Sequence, residues 1–154
     1  MRHIINSSDL TKADYDAIFD RLNHFTQKGI SPDIAQGKIG ATFFFQPSTR
    51  TMNFIQSGMI RMGGGWIGIM GEKGISMEKG ESFDDTIREY SCFADFIGIR
   101  HPDDDSAVRA AKVSYVPILN CGSGSREHPV GTPSMLGLTQ YFLKRPLENL
   151  KIGF

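Results

Sequence analysis

The chain has 154 residues, 40% of them hydrophobic, which suits one domain with a real core. Lysine plus arginine equals aspartate plus glutamate at 17 each, so there is no basic field for nucleic acid and no acidic tail. No apolar stretch reaches the roughly 18 residues of a membrane span, and the first residues lack a signal-peptide core, so neither nucleic acid nor membrane is an expected partner. Cys92 and Cys121 have no CxxC spacing and imply no disulfide framework; a reducing, cytoplasmic setting is the expectation.

Thr11-x-x-Asp14 reads as a capping box, followed by Tyr15, Ile18, Phe19, Leu22 and Phe25 on one helical face and stopped by Gly29. The β-favouring run 39–45 ends at Pro47. Ser48-Thr49-Arg50-Thr51 then opens a helix over 51–62, with Met52, Ile55, Met59 and Met62 on one apolar face. Gly63-Gly64-Gly65 breaks that helix before a strand at 66–70. Ser82-x-x-Asp85 is a second capping box, starting a helix through Ile87 and Tyr90 towards Phe93. A third strand is predicted at 96–99, a short helix at 106–112 and a fourth strand at 115–119. Thr132-Pro133 predicts an N-cap with proline at the first helical position, and Leu136, Leu138, Tyr141 and Phe142 continue that helix. Strands and helices alternate four times, and the strands are nearly continuous apolar runs. The predicted fold class is therefore α/β, an open parallel four-stranded sheet with helices on both faces. Residues 151–154 read as the start of another strand. The expected division is one domain over 1–150 and the beginning of a second at 151–154.

Open parallel sheets bind ligands beyond the carboxyl ends of their strands. The first strand delivers Ser48, Thr49, Arg50 and Thr51 there, at a helix N-terminus whose orphan N–H groups and dipole favour an anion. Arginine adds a planar fork suited to phosphate oxygens. The glycine-rich loop 71–80 adds Ser76 and Lys79, the third strand Arg100 and His101, and the fourth a segment from Asn120 to His128. Each of these strand ends supplies donors or cations, and none supplies a carboxylate cluster. A phosphate-type anion site follows from that convergence. Simpler roles compete at each position: Ser48 as a helix cap, Arg50, Arg100 and Lys79 as solvated cations, His128 as a structural histidine. Cys121 lacks a paired base and reads as packing. Asp103-Asp104-Asp105 reads as a solvated helix start, since adjacent aspartates converge poorly on a metal ion.

Four motifs, in order, resemble the aspartate/ornithine carbamoyltransferase family in its N-terminal carbamoyl-phosphate domain. They are F-x-x-S-T-R-T at 45–51, S-x-x-K-G-E at 76–81, R-H-P at 100–102 and N-x-G-x-G-x-x-x-H-P at 120–129, and the last three look like the aspartate branch. The resemblance implies transfer of a carbamoyl group to an amine, aspartate or another amino acid, with no cofactor and no metal. Ser48, Thr49, Arg50 and Thr51 would hold phosphate oxygens, and Arg100 would span phosphate and carbonyl. Thr51, Arg100 and His128 would point at the developing oxyanion. Ser76 and Lys79 would come from a neighbouring subunit, which implies a homotrimer. The acceptor would be held by a second domain, so this portion alone is expected to be inactive.

The chain also departs from that pattern. Met52 and Gln56 stand where the family has an arginine and a glutamate one helical turn apart. Ser123 replaces the aspartate of G-D-G, and Gly131 replaces a glutamine that reads the carbamoyl amino group. The alternative expectation is accordingly a non-catalytic relative that binds phosphate or an acyl phosphate as a regulatory or structural subunit. A phosphotransferase-type module is a third reading, disfavoured because G-x-x-x-x-G-K-[ST] is absent.

Overall fold

A computed structural model describes residues 1–145, 147, 150 and 151. Its elements are α1 (Lys12–Lys28), β1 (Ile39–Phe44), α2 (Thr49–Arg61), β2 (Gly65–Met70), α3 (Phe83–Tyr90), β3 (Phe96–His101), α4 (Ser106–Val113), β4 (Ile118–Ser123) and α5 (Gly131–Leu143). Short 3-10 turns occupy Ser7–Asp9 and Ser76–Lys79. All strand pairs are parallel, in the order β2-β1-β3-β4. The predicted sheet and its helices on both faces are therefore present. The strand expected from 151 onwards falls mainly on residues outside those described.

Alternation along the strands separates two cores. Ala41, Phe43, Ile97, Ile99 and Ile118 point to one face, where Phe83 and Ile87 of α3 and Ala107 and Ala110 of α4 bury them. Phe44 and Cys121 point the other way and meet Ile55 of α2, with Met52, Phe96 and Val130 at the margin. Met52 thus joins an apolar cluster in place of the family's ion pair. The other member of that pair, Gln56, has a buried Nε2 without a partner. Helices α1 and α5 meet at buried Gly137, where a Cβ would lie 2.7 Å from Leu22 Cδ2.

The first capping box is present in full, Asp14 N donating to Thr11 Oγ1 and Thr11 N to Asp14 Oδ2. At the second only half is made: Asp85 N donates to Ser82 Oγ, while the Ser82 hydroxyl rather than its N–H meets the Asp85 carboxylate. Several boundaries differ from expectation. The fourth strand spans Ile118–Ser123 rather than 115–119. Ser114 ties off the preceding turn, its hydroxyl accepting from Val116 N and donating to Val116 O, and Pro117 has no N–H to give a ladder. Tyr115 is left 65% exposed. The segment expected as loop after that strand, Asn120 to Ser123, is instead strand and buried, its outer edge paired to Ile4.

The third strand runs on to His101, so Arg100 sits within its last residues. The last helix starts at Gly131 with Val130 as N-cap, not at Thr132 with Pro133 in the first position. His128 O accepts from both Gly131 N and Thr132 N, which begins the turn earlier.

Candidate functional site

From β1 the chain passes through α2 to β2 on one side, then crosses back to β3 on the other. The β1–β3 boundary is therefore the point where the winding reverses, and its carboxyl end is where a doubly wound sheet holds a ligand. Phe45 N donates to Arg100 O across that boundary at 2.8 Å, bringing the two strand ends together. A concavity of about 630 Å³ opens there, lined by Pro47, Ser48, Thr49, Arg50, Thr51, Arg100 and His128. Six predicted residues thus meet at one place: Ser48, Thr49, Arg50, Thr51, Arg100 and His128.

Helix α2 begins at Thr49, earlier than the expected 51, so Thr49, Arg50 and Thr51 form its first turn. Ser48 holds the extended N-cap conformation but its side chain makes no capping hydrogen bond. The hydroxyl that would otherwise close the helix end is thereby left for a ligand. Arg50 is exposed at the rim. Orphan N–H groups, hydroxyls and a guanidinium fork share one helix end, the usual chemistry of phosphate capture.

Arg100 reaches the site half-buried, with Nη1 donating to Cys121 O at 3.1 Å. Its Nε is buried without a partner. The guanidinium passes directly over Gly122, where a Cβ would stand 2.7 Å from Nη1. Gly122 also has φ 121, a left-handed conformation that favours glycine. Burial pushes the neighbouring Cys121 thiol up to about 12, and Arg100 opposes this only in part, so the sulfur is packing rather than a nucleophile.

His128 is held at both ring nitrogens. Its Nδ1 accepts from Gly131 N at 2.9 Å, and its Nε2 lies 3.2 Å from Thr51 Oγ1. The Gly131 N–H is shared between His128 Nδ1 and His128 O, each at 2.9 Å; with Nδ1 as an acceptor, Nε2 carries the N–H of the neutral ring. Burial, and then the positive charge of Arg100, lower its pKa from 6.5 and keep that neutral form. Nε2 donates to Thr51 Oγ1, so the threonine hydroxyl proton is free to point into the concavity.

The remaining predicted residues fall elsewhere. Ser76 and Lys79 lie on their exposed 3-10 turn and do not line this concavity. His101 packs edge-on against Phe45 and Phe83, centroids 5.0 and 5.4 Å away, and its Nδ1 accepts from Asp103 N. It is structural.

The aspartates before α4 do more than start a helix. Asp104 Oδ1 accepts from Ser125 N at 2.9 Å, and Asp105 pairs with Arg126 Nη1 at 2.8 Å. They fasten the loop that leads to His128. That role, and the support Gly122 gives Arg100, were missed from sequence; the glycines of the fourth motif were the available signal.

Residues 2–132 match the family model described as the carbamoyl-phosphate-binding domain of aspartate/ornithine carbamoyltransferases. The aspartate carbamoyltransferase catalytic subunit of Clostridium kluyveri is 40% identical over 154 residues, covering 99% of this chain and 50% of that protein. The Thermococcus gammatolerans catalytic subunit is 40% identical over 158 residues, with 99% and 50% covered. Among solved structures, Trypanosoma cruzi aspartate transcarbamoylase with carbamoyl phosphate and aspartate superposes with a TM-score of 0.85 at 29% identity, covering 94% of this chain and 48% of that one. The M. jannaschii catalytic subunit gives 0.81 at 37% identity, with 94% and 48% covered. The chain spans about half the length of the curated relatives it matches. It belongs to the aspartate/ornithine carbamoyltransferase family and carries that family's carbamoyl-phosphate-binding domain.

Proposed function

We propose that this chain is the carbamoyl-phosphate half of an enzyme that transfers a carbamoyl group to the amine of aspartate, acting in the cytoplasm as a homotrimer. One observation carries the reading: the phosphate-type cradle at Ser48–Thr51 and the donors Arg100, Thr51 and His128 share one concavity. Relatives solved with carbamoyl phosphate, aspartate and phosphate support the substrate pair.

The chemistry asks for positioning and charge stabilisation. The acceptor nitrogen lone pair forms a bond to the carbonyl carbon, and the carbonyl π pair moves onto oxygen. Arg100 and the Thr51 hydroxyl donate to that oxygen, and His128 Nε2, 3.2 Å from Thr51 Oγ1 in this structure, turns its N–H onto it once substrate is bound. The carbonyl re-forms as the bond from carbon to the bridging phosphate oxygen breaks, and phosphate leaves with the pair into the Ser48–Thr51 cradle. The amine proton goes to the departing phosphate. His128 is not the base, because its Nδ1 already accepts from Gly131. The acceptor site belongs to a second domain following this one over 1–150, so the chain alone does not turn over. Ser76 and Lys79, exposed and away from their own concavity, reach the site of a neighbouring subunit.

The alternative, a non-catalytic phosphate-binding relative, finds no specific support in the site. Gly131, which motivated it, has a use here as the donor to His128.

The test is carbamoyl aspartate formation by the longer enzyme from carbamoyl phosphate and aspartate. Arg100→Ala should lower kcat/KM by about 100- to 1,000-fold, the scale of one lost oxyanion donor. Binding of carbamoyl phosphate with no product from aspartate would overturn the reading. Co-expressing Arg50→Ala with Lys79→Ala tests the shared site: hybrids regain part of the activity if Lys79 acts across an interface, and no recovery contradicts it.

A further inference from the structure

Gly131 presents a combination that its place at a helix start does not require. Its φ is not left-handed, so alanine could adopt the same backbone there. Alanine is also the better helix former. What opposes a side chain is the His128 ring: a Cβ at 131 would lie 2.9 Å from Nδ1, 3.1 Å from Cε1 and 3.2 Å from Cγ. The same glycine's N–H is shared between Nδ1 and the His128 carbonyl, each at 2.9 Å. The ring is pinned at its far end by Thr51, 3.2 Å from Nε2. Any shift that relieves a Cβ contact must therefore lengthen one of those two hydrogen bonds.

We propose that Gly131 is a positioning residue: its bare Cα and its N–H together seat the His128 imidazole with Nε2 fixed as the hydrogen donor towards Thr51 and the anion concavity. This inference rests on the proposed role of His128 at the carbonyl oxygen. Without a side chain at 131 the ring lies flat against the first turn of α5; with the N–H in place Nδ1 is held as an acceptor. Either feature alone would leave the ring free to turn or to exchange tautomers. Arg50 and Arg100 are the charged groups lining the concavity beside it, and Arg100 disfavours a proton on the ring.

The experiment is nitrogen NMR of the His128 ring in the 154-residue chain, wild type and Gly131→Ala, over a pH titration and with inorganic phosphate as probe. In wild type Nδ1 should be unprotonated and Nε2 protonated, with a scalar coupling across Gly131 N–H to Nδ1. Gly131→Ala should mix the tautomers, raise the ring pKa towards its ordinary value, and weaken phosphate binding roughly two- to tenfold, the scale of one neutral hydrogen bond. Its melting temperature should not fall, because alanine suits the helix; a merely structural glycine would move none of the ring signals. An unchanged tautomer, pKa and phosphate affinity in Gly131→Ala overturns the proposal. If that variant does not fold, the wild-type coupling decides, and a protonated Nδ1 overturns it. Failure of wild type to bind phosphate at Ser48–Thr51 would instead count against the function, and the ring signals still test the positioning role.

Discussion

Two segments build the anion site in opposite ways. The turn at Ser48–Thr51 is contiguous: a strand end, a proline and a helix start place hydroxyls, backbone donors and Arg50 at one point. The segment from Asn120 to Gly131 depends on distant parts of the chain. Asn120 Nδ2 donates to Ile5 O and Ser123 Oγ, and its Oδ1 accepts from Gly122 N. Asp104 and Asp105 hold Ser125 and Arg126, and Glu127 Oε2 accepts from Ser7 N at 2.5 Å. The first segment is a binding surface made by local rules. The second is a support, which sets Arg100 and His128 against glycines. Damage to the first should cost affinity alone; damage to the second between Asn120 and His128 should cost stability and affinity together.

The sharpest way to break that contrast is Gly122→Ala. The substitution forces a left-handed φ of 121 on alanine and puts a Cβ 2.7 Å from Arg100 Nη1. Destabilisation on the order of 1–3 kcal/mol is expected, with phosphate binding lost as Arg100 moves. Denaturant unfolding and a phosphate titration on the same sample measure both. A stable variant with normal affinity would show that the support is not needed.

Arg50→Ala is the opposite case. Exposed Arg50 touches no core, so stability should hold while phosphate binding weakens by about 1.5–3 kcal/mol. Calorimetry of wild type and variant compares them directly; equal affinities reject the role.

Acidification acts on the support. Burial comes first among the causes that lower His3, His101 and His128 from 6.5. Below that value the unfolded chain binds more protons than the folded one, so stability is fully present above roughly pH 6.5 and is lost as pH falls through the lowered values. Urea midpoints between pH 7.5 and 5 should fall, and His101→Phe should make that fall shallower. The smallest effect is expected from Asp104→Ala, which removes the acceptor for Ser125 N: a slight drop in melting temperature and a marginal loss of phosphate affinity. An Asp104 variant as damaged as Gly122→Ala would mean the loop is held there rather than at the glycines.

The same contrast explains what could be read from sequence. Ser48 to Thr51 was legible because the strand run, Pro47 and the helical period are neighbours in the chain. The parallel sheet was legible from alternating apolar runs. The fourth strand was misplaced because Asn120, Cys121, Gly122 and Ser123 look like a polar loop; the backbone of Ile4 and Ile5, which pairs with Asn120 and lets it lie buried, is more than a hundred residues away. Gly131 looked like a lost contact, because only the folded chain puts the His128 ring on its Cα.

The most direct measurement is an amide and side-chain NMR titration of the chain with carbamoyl phosphate, in wild type and Arg50→Ala. The account predicts shifts confined to Ser48, Thr49, Arg50, Thr51, Arg100 and His128, with affinity reduced in the variant. Shifts centred on the cavity between Glu72 and Arg109 instead, or an unchanged affinity in Arg50→Ala, would contradict it.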